Sequence, residues 1–151
     1  EEHLREYFVF TFSRNPFSRA YSIFSFRKRA DARRRPNSKR YSEIKNMNFQ
    51  EFLLSEYMQK RKMVEARLQS DWVRNSPVPV HKFKLEEIDI NLDQLSRQFY
   101  GNDFRGSAKI GRKNSSAGLD DWRSMTEVEA DLIRQLYAED FSTFQYHLEI
   151  P

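Results

Sequence analysis

The order of apolar runs and helix signals predicts an α/β fold, with a short parallel sheet flanked by helices. Three observations carry it. Residues 7–12 (YFVFTF) form a short aromatic run, Asn15-Pro16 marks a helix start directly behind it, and residues 80–85 form a second strand-like run after Pro77 and Pro79. The length of 151 residues fits one domain with a real core, because a chain of about this size buries roughly 70% of its unfolded surface.

Each element has its own reason. Residues 7–12 are nearly all apolar, which reads as a buried strand, central in a parallel sheet. Asn15 is a good N-cap and Pro16 suits the first helical turn. Phe17, Ala20, Tyr21, Phe24 and Lys28 then recur at helical spacing and carry that helix to about Arg29. Residues 27–40 (RKRADARRRPNSKR) read as an exposed basic loop containing Pro36, Asn37 and Ser38. Asn48 caps a second helix over 49–57, with Phe49, Phe52, Leu53 and Met58 on one side. The pattern weakens through Met63, Val64, Leu68 and Trp72. Residues 91–100 read as a helix stopped by Gly101, and the polar stretch 104–119 as a loop. Thr126-x-x-Glu129 is a capping box that opens a closing helix bearing Val128, Leu132 and Leu136.

Charge is concentrated. The chain holds 26 Lys and Arg against 22 Asp and Glu, a net +4, but residues 27–40 alone carry eight bases and one acid. The remainder is net acidic. Cysteine is absent, which excludes disulfides, thiolate metal sites and cysteine nucleophiles. No apolar run approaches the roughly 20 residues of a membrane helix. The first residue is Glu1 and not Met, so the expectation is a single domain over 1–151 cropped from something longer.

The chemistry-bearing stretch is 10–24, FTFSRNPFSRAYSIF. A strand that turns directly into a capped helix aims backbone N–H groups and the positive end of a helix dipole at the carboxyl edge of the sheet. Arg14 sits at the strand end, and Arg19 and Ser22 follow one and two turns into the helix. An arginine fork with a hydroxyl suits a phosphate with several acceptor oxygens. The bland alternative pairs Arg14 with a carboxylate and leaves Ser22 as a filler of the helix face.

The pattern Arg14-Asn15-Pro16-x-x-Arg19-x-x-Ser22 after an aromatic strand resembles the 3′-phosphate-binding motif of sulfotransferases, most nearly the Golgi carbohydrate family of the chondroitin 4-O-sulfotransferase kind and its bacterial relatives. The tail Leu132-Ile133-x-x-Leu136-Tyr137-x-x-Asp140-Phe141, with Phe144 and Tyr146, is similar to that family's closing helix. Lys84-Leu85-Glu86 looks like its strand-Glu-helix segment, and Arg112-Lys113-Asn114-Ser115 stands in the place of its late polar loop. The resemblance implies a sulfotransferase using 3′-phosphoadenosine 5′-phosphosulfate (PAPS), with a P-loop-like domain and a carbohydrate hydroxyl as acceptor. Arg14 and Ser22 would bind the 3′-phosphate, Arg19 would contribute or brace the loop, and Arg112 or Lys113 would close over the phosphates. Glu86 would be structural. No metal is required. The compartment it implies is the Golgi lumen for a eukaryotic protein, held there as a type II membrane protein, and the cytoplasm for a bacterial one.

One departure stands out. The family needs a Gly/Ser/Thr-rich turn with a Lys before the Arg14 strand to hold the 5′-phosphosulfate, and residues 1–6 supply none. The expectation is that this loop lies upstream in the native protein, the alternative being a non-catalytic copy. The general base is not identified; His81, His3 and His147 are the histidines at hand. Gly106-x-x-x-x-Gly111-Arg112-Lys113 misses a Walker A loop, since Arg112 intrudes before the lysine. The basic stretch 27–40 suggests an acidic glycan acceptor, and the competing reading is a basic module that binds nucleic acid or an anionic glycan without catalysis. No recognised nucleic-acid module accompanies it.

Overall fold

A computed structural model describes residues 7–34, 36–101 and 122–150, with the side chains of residues 30, 31 and 34 left aside. It is a mixed α/β arrangement. In chain order come β1 (Phe10–Ser13), α1 (Pro16–Arg34), α2 (Lys39–Ile44), α3 (Phe49–Leu54), α4 (Glu56–Gln59), a 3-10 turn (Val64–Ala66) and α5 (Asp71–Arg74). They are followed by β2 (His81–Lys84), a second 3-10 turn (Leu85–Glu87), α6 (Ile88–Tyr100), a third turn (Trp122–Ser124), α7 (Glu127–Leu136) and α8 (Ala138–Thr143).

β1 and β2 pair in parallel, Phe10 opposite His81 and Ser13 opposite Lys84. The parallel pairing agrees with the sequence. The burial does not, because Phe10 is 45% exposed and β1 has a partner on one side only among the described residues. A parallel strand is sealed when helices cover both faces. Here Phe8, Phe10, Phe12 and Phe83 pack on one another instead, and Phe99 of α6 meets Phe8 edge-on at 5.2 Å.

The core is helical. Phe17, Ala20 and Ile23 of α1 pack with Phe52 and Leu53 of α3, Ala130 and Ile133 of α7 and Phe141 of α8. The helical stripe read from Phe17 and Ala20 is this buried face. Three caps appear as the sequence expects. Asn15 Oδ1 accepts from Phe17 N–H, Asn48 forms a reciprocal capping box with Glu51, and Thr126 forms one with Glu129. Gly101 ends α6 at φ +82°, a conformation that costs glycine least.

Two differences concern the basic stretch. α1 continues to Arg34 instead of stopping near Arg29, and α2 begins at Lys39, so most of 27–40 is helical and not loop. Arg, Lys and Ala are strong helix formers, and the helix ends just ahead of Pro36, which disfavours the α conformation before it. Several of these bases are structural. Arg27 pairs with Glu65, and Lys28 Nζ donates to Met47 O at 2.8 Å while lying over the Phe24 ring. Arg29, Arg33, Lys39 and Lys45 are exposed. At about 1.5 Å rise per residue, Arg33 lies roughly 25 Å along α1 from Pro16. Arg29 and Arg33 therefore stand toward the far end of that helix from Arg14.

Candidate functional site

The β1–α1 junction is held from three directions. Val9 O accepts from His81 N–H at 2.9 Å, so the peptide groups of Val9, Thr11 and Ser13 face β2 and those of Phe10, Phe12 and Arg14 face the opposite edge. On that edge the Gln69 amide takes the place of a neighbouring strand. Its Oε1 accepts from Arg14 N–H at 2.8 Å and its Nε2 donates to Arg14 O at 2.9 Å. Glu86, just past β2, accepts from Asn15 N–H at 2.8 Å. The tail arrives from the third side, where Tyr146 Oη donates to Ser13 O at 3.0 Å and meets Glu86 Oε2 at 3.0 Å.

Arg14 is half-buried at this junction, and its Nε donates to Ser18 Oγ at 3.0 Å. Its two terminal nitrogens make no hydrogen bond or ion pair among the described residues. Burial pulls its pKa below the ordinary arginine value, with Glu86 and then Tyr146 acting in the opposite direction. A guanidinium remains charged under such a shift, so Arg14 is a partly desolvated cation with an open fork. Ser18 and Ser22 are four residues apart on α1 and therefore neighbours on one face. Ser22 is half-buried, and its hydroxyl makes no hydrogen bond among the described residues. The Tyr146 phenol is pushed above the usual tyrosine pKa, first by burial, and stays protonated.

Arg19 has a different setting. Its Nη2 donates to Glu65 O at 2.8 Å and Arg67 O at 2.6 Å, and its Nη1 pairs with Asp140 at 3.4 Å. Asp140 is fully buried and also accepts from Gln69 N–H at 2.9 Å and Ser70 N–H at 2.8 Å. The network ties α1, the 65–70 segment and α8 together. Because Gln69 belongs to it, Arg19 and Asp140 hold the residue that clamps the Arg14 backbone.

Other sequence-predicted residues lie elsewhere. Arg112 and Lys113 fall outside the described residues, as does His3. His81 stacks on Phe8 at 4.1 Å, and its register with Phe10 places it at the opposite end of the sheet from Arg14, about 13 Å along the strand. His147 is exposed beside Tyr146. Among the described residues there is no cluster of three or more metal-ligating side chains, and no helix is long and apolar enough to cross a membrane.

Clefts open elsewhere among the described residues. One, of about 560 Å³, lies under the tail between Arg134, Phe141 and Leu148, with Tyr146 on its wall. Another, of about 440 Å³, opens near Phe8, Pro77 and His81. Arg14 lines neither.

Gln69, Asp140 and Ser13 are the contributors that sequence reasoning missed. Gln69 carries no signal, being one amide in an irregular stretch. Asp140 does carry one, an acid on the stripe that Ile133, Tyr137 and Phe141 bury, where a charge needs a partner. No protein family, curated protein or solved structure was found to match this chain.

Proposed function

We propose that this chain carries the 3′-phosphate-binding half of a PAPS-dependent sulfotransferase acting on a carbohydrate hydroxyl, in a P-loop-like domain. The observation that carries the proposal is Arg14: half-buried at a strand-to-helix turn, with its terminal nitrogens unpartnered among the described residues and the serine-bearing face of α1 beside it. A cation desolvated in this way, whose terminal nitrogens meet no acceptor among the described residues, favours an anionic ligand. Arg14 and Ser22 serve as phosphate ligands in this reading, and Arg19 braces the loop through Gln69. The reaction is in-line transfer of a sulfuryl group from the phosphosulfate to the acceptor oxygen. The acceptor proton leaves to a base and adenosine 3′,5′-bisphosphate departs. The 5′-phosphosulfate loop and the base are not assigned to residues of this chain.

Calorimetric titration with adenosine 3′,5′-bisphosphate tests the site. Arg14→Ala should weaken binding at least tenfold and Ser22→Ala several-fold, each without unfolding the domain, since one charge-assisted hydrogen bond is worth about 1.5–3 kcal/mol. Unchanged affinity in both variants overturns the assignment. The second reading, a basic module for nucleic acid or an anionic glycan, draws on the exposed Arg29, Arg33, Lys39 and Lys45. It predicts polyanion binding that survives both adenosine 3′,5′-bisphosphate and Arg14→Ala.

A further inference from the structure

The start of α1 is where the sequence predicts an anion, and in the fold a carboxylate already stands there. Asn15 N–H donates to Glu86 Oε1 at 2.8 Å, Pro16 has no N–H, and Phe17 N–H donates to Asn15 Oδ1 at 2.9 Å. Among the described residues, the anion on these first donors is thus Glu86. Its second oxygen lies 3.0 Å from the Tyr146 phenol, whose one proton Ser13 O, also at 3.0 Å, competes for. Glu86 is one peptide unit from Arg14 through Asn15, yet makes no ion pair with it among the described residues. Its side chain is exposed, so it can pivot without opening the core.

On the reading of Arg14 as a phosphate ligand, we propose that Glu86 is a resident competitor at this site: an incoming phosphate displaces its carboxylate from the Asn15 N–H, and Glu86 thereby sets the affinity. Two anions compete for one donor. A phosphate beside a fixed carboxylate is repelled in these partly buried surroundings, while one that replaces it gains the N–H and keeps Arg14. The Tyr146 phenol can turn its one proton from Ser13 O to the displaced carboxylate, which lowers the cost of the exchange. A glutamine at this position keeps the shape and an acceptor but removes the charge.

The test compares the protein with its Glu86→Gln and Arg14→Ala/Glu86→Gln variants, using adenosine 3′,5′-bisphosphate at low salt, with thermal unfolding of each unliganded protein. Glu86→Gln should melt lower, having lost a charge-assisted bond, yet bind about five- to tenfold tighter. Adding Arg14→Ala should abolish the gain. A purely structural Glu86 would lower both stability and affinity. Equal or weaker binding by Glu86→Gln, with the parent still dependent on Arg14, overturns the competitor role and leaves the phosphate site standing. Binding by the parent that ignores Arg14→Ala overturns the phosphate site and the competitor with it. If Glu86→Gln does not fold, the Asn15 amide resonance of the parent decides. A ligand-dependent shift larger than that of its neighbours supports displacement, and an unmoved Asn15 at saturation overturns it.

Discussion

Arg19 and Arg14 are five residues apart and have opposite surroundings. Arg19 is enclosed by two carbonyls and the buried Asp140, whereas Arg14 keeps its terminal nitrogens open among the described residues. Asp140→Ala should therefore destabilise the protein by about 3–5 kcal/mol, since it leaves Arg19 without its counter-charge and two N–H groups without an acceptor. Urea denaturation measures it. Arg14→Ala should cost about 1 kcal/mol or less in the same experiment, because only one neutral partner, Ser18, is lost. Spacing weights Arg14 and Arg19 equally, and the sequence offers them as a pair. Their separation depends on Asp140 and the 65–70 carbonyls, which come from more than forty residues away in the chain.

Helix starts were the most legible elements, because a cap is a local bargain between a side chain and its own backbone. Asn15-Pro16, Asn48 and Thr126-x-x-Glu129 each open the helix expected of them. Asn15→Ala and Thr126→Ala should each cost about 1 kcal/mol, readable by thermal unfolding, with losses under about 0.3 kcal/mol contradicting the caps. Helix ends and burial were less legible. Residues 27–34 lack apolar periodicity, so a helix that projects into solvent resembles a charged loop in sequence. The aromatic run at 7–12 resembles a strand buried on both faces, yet its rings find one another and Phe99 in place of a second covering layer. Periodicity reports apolar content along a strand and is silent on what covers it.

At the scale of the molecule, the two positive features that net charge merges stand at opposite ends of α1. Charge reversal of Arg29 and Arg33 should weaken binding of a polyanion and flatten its salt dependence, while leaving adenosine 3′,5′-bisphosphate affinity unchanged. Equal loss of both would mean that one surface serves both ligands. Stability should fall at both ends of the pH scale. Glu65 is partly desolvated, which alone raises its pKa, but the hydrogen bond from Arg27, a backbone N–H and the charges of Arg27 and Arg40 together outweigh this and hold it below the ordinary 4.5. A depressed carboxylate stabilises the fold above that value and loses its contribution as pH falls through the folded pKa, so Glu65→Gln should blunt the acid limb. Tyr137 is raised from 10.0 to about 12, chiefly by burial. Its contribution is complete below pH 10 and is lost as pH rises toward 12, so Tyr137→Phe should extend the alkaline limit, provided the bond to Ala66 O is dispensable. The central claim is a site for a 3′-phosphate, and calorimetric titration of the protein and Arg14→Ala with adenosine 3′,5′-bisphosphate and with adenosine 5′-monophosphate tests it most directly. The protein should prefer the bisphosphate by at least tenfold and Arg14→Ala should lose that preference; equal binding of the two nucleotides by the unaltered protein would contradict it.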